Sequence, residues 1–205
     1  MKFLFFDIEC ANCFGGKAKI YSFGYLVTDE KFNILTAPQD LLINPDSKFD
    51  PYVKKNILVY DRAYLKTMPK FDERYPFIKK LMTEKGVICV GYGIDNDIRF
   101  LSDDCKRYGL DQIKPKLFDV QKLILLAENK PARKLDIEFH ERFNEGEGVA
   151  HRSDVDAIRT MMIAKQICER SGVSLIDYSK MKLPIVDKKT KENKKTVNQP
   201  IDGDN

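Results

Sequence analysis

The chain has 205 residues, 43% of them hydrophobic, with 35 Lys or Arg against 31 Asp or Glu. That length suits one packed domain with a small appendage, and the absence of a long apolar run or a secretory-type leader predicts a soluble, cytoplasmic protein without a membrane span. Residues 180–205 hold seven Lys against four Asp or Glu, leaving 28 basic against 27 acidic residues in the remainder, so composition gives no basic footprint of a tight nucleic-acid binder.

The apolar run Phe3-Leu4-Phe5-Phe6 predicts a buried strand over 2–9. Residues 21–28 read as a second strand and 33–43 as one or two more, with Pro38 interrupting them. Short connections among these strands suggest an antiparallel meander. Helical patterning follows over 69–81, then a buried strand over 87–90 running into Gly91-Tyr92-Gly93. A helix over 96–108 is expected to stop at Gly109, which suits the left-handed position after a helix end. Residues 116–118 read as a short strand, 119–128 and 133–143 as helices. The last strong helix runs from Ser153 toward Arg170, with Val155, Ile158, Met162, Ile163 and Ile167 as its apolar stripe and Gly172 ending it. Beyond Tyr178 the chain turns Lys-rich and polar, and 179–205 reads as a flexible tail.

Asp7 and Glu9 end the first strand at i and i+2, so both carboxylates project from one face at the edge of a core. Ionised acids held together there repel and cost several kcal/mol to desolvate unless a cation lies between them. A hard divalent metal is the simplest remedy. The tripeptide itself says little, because it recurs at Asp136-Ile137-Glu138, where Leu135, Phe139 and Phe143 repeat as on a helix and the acids are expected to be solvated.

Two later acids have suitable settings. Asp97 follows the Gly91-Tyr92-Gly93 turn at the opening of a helix, where strand ends of α/β sheets assemble sites; the same position suits a first-turn acid that serves only the helix. Asp156 lies in Ser153-Asp154-Val155-Asp156, which also fits a capping box. His151, five residues before Asp156, brings an imidazole that can accept a proton near neutral pH. The other histidine, His140, has only Glu145 five residues on and reads as structural or surface. The cysteines, Cys10, Cys13, Cys89, Cys105 and Cys168, form no ladder, and the lone Cys10-x-x-Cys13 spacing reads as incidental reduced thiols.

Taken in order, FFDIE at 5–9, GYGIDNDIRFL at 91–101 and HRSDVDA at 151–157 resemble the three exonuclease motifs of the DEDDh, or DnaQ-like, family. Phe118-Asp119 and Lys134-Leu135-Asp136 resemble its connecting elements. The resemblance spans 1–170 and implies a ribonuclease H-like α/β fold: a central mixed five-stranded sheet, three antiparallel strands then parallel ones, flanked by helices, with 1–178 as the exonuclease domain. It implies Asp7, Glu9, Asp97 and Asp156 as ligands of two Mg²⁺ or Mn²⁺ ions and His151 as general base. The implied reaction is 3′–5′ hydrolysis of the terminal phosphodiester of a single strand, releasing nucleoside 5′-monophosphates.

Three departures bear on substrate contacts rather than metal ligands. Cys10 stands where the family often has Thr, Tyr92-Gly93 where it has His-Asn, and Asn96 where Phe precedes the acid. Cys10, Tyr92 and the neighbouring Phe14 are candidate substrate-binding residues, Phe14 as a stacking surface for the terminal base. Lys17 and Lys19 are candidates for phosphate. The motif context resembles polymerase-associated exonucleases, which points to DNA and to a polymerase or replication partner. An exoribonuclease on short RNA or tRNA ends, and a catalytically weak nucleic-acid-binding module, are the competing readings.

Overall fold

Alternation along the first strand sets the architecture. In the computed structural model, which describes residues 1–144 and 151–182, β1 runs Lys2–Asn12. Leu4, Phe6 and Ile8 face one core, while Phe3 and Phe5 face another on the opposite side of the sheet. Asp7 and Glu9 continue the Phe3–Phe5 face by the two-residue strand period.

β1 pairs antiparallel with β2 (Lys19–Asp29), which pairs antiparallel with β3 (Ile34–Leu42). Pro38 does not split β3; the strand lies at the sheet edge, where a missing N–H is tolerated. On its other side β1 pairs parallel with β4 (Val87–Gly91), and β4 with β5 (Leu117–Asp119). The order β3-β2-β1-β4-β5 is the expected mixed sheet, three antiparallel strands followed by two parallel ones.

Helices cover both faces. The core on the Leu4–Phe6–Ile8 side takes in α3 (Phe71–Thr83) and α4 (Asp95–Arg107). The other holds α5 (Val120–Glu128), α6 (Leu135–Phe143), α7 (Ser153–Ser171) and α8 (Leu175–Lys180). Two short helices that the apolar pattern does not announce, α1 (Pro51–Asn56) and α2 (Arg62–Lys66), follow β3. Their caps do announce them: the Asp50 and Asp61 carboxylates accept from the N–H groups of Tyr52 and Tyr64, at 2.8 and 2.9 Å. No described helix is long and apolar enough to cross a membrane. Most of the expected Lys-rich tail lies outside the described residues.

The second Asp-Ile-Glu copy differs from expectation. Asp136 is exposed, but Glu138 turns inward and is buried. It can do so because Arg142, one turn later, donates to it at 2.6 Å and also forks onto Glu128 at 2.9 and 2.8 Å. These charge-assisted bonds hold Glu128 down to about 2.

Candidate active site

The sheet brings three remote segments to the C-terminal end of β1. Asp7 lies opposite Gly24 of β2 and Glu9 opposite Ser22, and the β1–β2 register slips just beyond Glu9. A bulge there re-aims the strand beside the acids. From the parallel side, β4 ends at Gly91, and a tight turn with Gly93 at φ 67° starts α4. Asp119 holds that turn, accepting from the N–H groups of Gly93 and Ile94 at 3.1 and 3.2 Å. Asp97 is thereby aimed at β1, where its Oδ1 accepts from the Ile8 N–H at 3.1 Å. It contacts the strand as well as the first turn of its own helix.

From the opposite face, the start of α7 rests directly on β2. A Cβ on Gly24 would stand 2.0 Å from the Ser153 carbonyl carbon and 2.1 Å from the Asp154 nitrogen, so only glycine admits this approach. The N-cap of α7 is Arg152, which makes no side-chain bond to the helix. The Ser153 hydroxyl meets that of Ser22 and donates to Asp40 Oδ1 at 3.3 Å. Asp40, on β3, also accepts from Ser22 at 2.7 Å and from the Tyr60 hydroxyl. Sequence reasoning missed Asp40 and Gly24. The signal for Gly24 was a side-chain-free residue inside an otherwise apolar strand.

With α7 so placed, Asp7, Glu9 and Asp156 present carboxylate oxygens within 4.8 Å of one another. Asp97 joins from α4, outside that trio but near enough to be the strongest charge acting on Asp7. The His151 Nδ1 lies 3.9 Å from Glu9 Oε1, and its imidazole is 45% exposed at the mouth. All five expected catalytic positions therefore stand at one end of the sheet. Phe14 is exposed in a short 3₁₀ turn, Phe14–Gly16, just past β1. Cys10 is buried in the core beside Ile8 while Cys13 is exposed. The Tyr92 hydroxyl donates to the Arg133 carbonyl at 2.6 Å. The Lys19 ammonium donates to the Phe14 carbonyl at 3.1 Å and to that of Lys17.

The electrostatics are those of acids without counter-ions. Burial, then the charges of Asp97, Glu9, Asp156 and Asp40, push Asp7 well above the usual carboxylate range. Burial and the same neighbourhood, Asp156 first, push Glu9 up to about 8. Burial raises Asp97 to about 8 against the Ile8 hydrogen bond. Asp156 is raised by burial and partly relieved by Arg159, 3.2 Å away, and by His151. Among the described residues no Lys or Arg lies within ion-pair distance of Asp7, Glu9 or Asp97. Clustered oxygen donors carrying unneutralised charge fit a hard divalent cation.

No family model matches the chain, and no curated protein matches it by sequence. Solved structures do. The zinc-bound form of the E. coli exonuclease I–single-stranded DNA complex superposes with a TM-score of 0.70 at 20% identity, over 83% of this chain and 41% of that one. The two chains share one fold. A complex of E. coli exonuclease I with a dT13 oligonucleotide gives 0.69 at 19% identity over 86% and 43%, and apo exonuclease I gives 0.63 at 17% over 87% and 43%. The chain thus spans less than half the length of these exonuclease I structures.

Proposed function

We propose that the chain is a metal-dependent 3′–5′ exonuclease that shortens single-stranded DNA from its 3′ end. The observation that carries this reading is the convergence of Asp7, Glu9 and Asp156 within 4.8 Å, with an imidazole 3.9 Å from Glu9, on a fold shared with exonuclease I. Structures of that enzyme with single-stranded DNA, one of them zinc-bound, favour DNA as the substrate and a divalent ion as cofactor.

Asp7, Glu9, Asp97 and Asp156 would hold Mg²⁺ or Mn²⁺. When bound, such ions lower the pKa of a water and neutralise charge on the phosphoryl and leaving oxygens. The protein's own groups do the rest. His151, its Nδ1 3.9 Å from Glu9, takes the proton from the attacking water. Asp119 fixes the turn that aims Asp97. Asp40 and the Ser22–Ser153 contact fix the helix start that aims Asp156. Phe14, 52% exposed, offers a face on which the terminal base stacks.

The test is incubation of matched 5′-labelled DNA and RNA single strands with Mg²⁺ or Mn²⁺, and with EDTA. A ladder shortening from the 3′ end, abolished by EDTA and by Asp7→Ala, is expected, with DNA the faster substrate. No product from either polymer overturns the proposal, and faster cleavage of RNA overturns its choice of DNA.

A further inference from the structure

Beside the acid cluster lies a feature of opposite charge. Past β3 the chain folds back through α1 and α2 around a cleft of about 970 Å³. Its walls carry four cations, Lys48, Lys54, Arg62 and Lys66. The two acids in the same walls are already committed: Asp46 pairs with Lys70 at 2.7 Å, and Asp61 caps α2. Among the described residues none of the four cations has an ion-pair partner. In a chain whose first 179 residues are close to neutral, this is a local concentration of unneutralised positive charge.

The cleft is joined to the catalytic strand. The Asp50 N–H donates to the Ala11 carbonyl at 2.8 Å. The Asn12 side chain donates to the Ser47 hydroxyl at 3.0 Å and to the Lys48 carbonyl. Two wall residues, Ser47 and Lys48, are therefore held by a side chain three residues beyond Glu9. Two tyrosines stand out on the helices that form it, Tyr52 on α1 at 67% exposure and Tyr64 on α2 at 53%. Neither ring lines the cleft, so what the cleft itself offers a single strand is its unpaired cations, which hold phosphates.

We propose that this cleft is the track for the sugar-phosphate backbone of the DNA strand lying 5′ of the residue being cleaved. The inference rests on the exonuclease reading for its choice of ligand. Its function is to keep hold of a long strand between cuts, so it acts on affinity for length and not on the chemical step.

The test is the triple variant Lys54→Gln, Arg62→Gln, Lys66→Gln, with Lys55→Gln on the same helix, outside the cleft walls, as control. On a strand longer than the ~4–16 nucleotides that single-strand sites span, KM should rise about tenfold with kcat unchanged. The slope of log affinity against log salt should flatten by about 2, at ~0.7 per phosphate released. Hydrolysis of a dinucleotide, too short to reach the cleft, should not change. Fluorescence anisotropy of the same long strand in EDTA reads binding without turnover. A chain that never cleaves but whose binding flattens in the triple variant keeps the track and overturns only the nuclease reading. Unchanged long-strand affinity and salt slope overturn the track, as does an equal loss on the dinucleotide. Loss of poly-glutamate binding with DNA binding intact assigns the cleft to an acidic protein partner and overturns it too.

Discussion

If the acid cluster is a metal site, removing one of its charges should destroy function and strengthen the metal-free fold. Glu9→Gln is the cleanest case, because glutamine keeps the shape and removes only the ionisation. The carboxyl rises from 4.5 to about 8 on folding, which at ~1.4 kcal/mol per factor of ten is about 5 kcal/mol between its two protonation states. With the side chain 15% open to water and three acidic neighbours able to take up protons in its stead, about 2–3 kcal/mol of this should reach global stability. A pKa raised by folding means that the folded state binds the proton more tightly than the unfolded one. The associated stability is complete below about 4.5 and is lost as pH rises through about 8. Wild type and Glu9→Gln should therefore melt together near pH 4, and in EDTA near pH 9 the variant should melt about 5–10 °C higher, at roughly 2–4 °C per kcal/mol for a chain of this size. Excess Mn²⁺ should raise the wild-type midpoint and leave the variant nearly unmoved, and the variant should not cleave DNA. Thermal melts followed by circular dichroism measure all of this. A variant that melts at or below wild type at pH 9 in EDTA would refute the claim that these acids are held together against their own repulsion.

Three further substitutions probe the supports. Gly24→Ala places a methyl 2.0 Å from the backbone of Ser153; it should lift the start of α7, cost about 3 kcal/mol and weaken Mn²⁺ binding in a calorimetric titration, whereas wild-type metal affinity would contradict the contact. Asp40→Ala strips the acceptor from Ser22, Ser153 and Tyr60; a loss of about 2 kcal/mol in urea unfolding is expected, together with a fall in kcat that Asp40→Asn partly restores. Arg142→Met takes from the buried Glu138 its nearest cation and leaves it only Lys130 at 3.6 Å; it should cost about 3 kcal/mol while leaving kcat unchanged, and it should reduce the stability that Glu128, held at about 2, contributes above pH ~4.5 and loses on further acidification.

The sequence was most legible where one local rule decided the outcome. Strand period alone put Asp7 and Glu9 on one face, and Gly109 and Gly172 marked where α4 and α7 stop. Asp97 and Asp156 each had a rival reading as helix-end acids, and only tertiary contacts separate the two: Asp97 accepts from β1, and Asp156 reaches the trio while Ser153 spends its hydroxyl on β2 and β3. Glu138 was misread because its burial depends on Arg142 and Lys130, partners that hydrophobic periodicity does not register. The helices α1 and α2 were missed for a related reason. At six and five residues they show too few apolar positions for a period, and their evidence lay in the capping acids Asp50 and Asp61 and in Pro51 at the first helical position.

The two helices that complete the acid cluster are anchored differently, and the difference predicts where variation is tolerated. Asp97 is fixed through backbone groups, since its own carboxylate takes the Ile8 N–H and Asp119 takes those of Gly93 and Ile94. Backbone donors persist whatever side chain those positions carry, so the α4 side of the site survives most substitutions that spare Asp97, Asp119 and Gly93. Asp156 is fixed through side chains: the hydroxyls of Ser22, Ser153 and Tyr60 converge on Asp40, over a glycine that lets the helix come close. Any one of these can be lost by a single substitution. Acids that repel one another push α7 outward, and this side-chain knot with the apolar stripe of α7 holds it in. The α7 side is thus where the geometry of the acid cluster is most readily tuned.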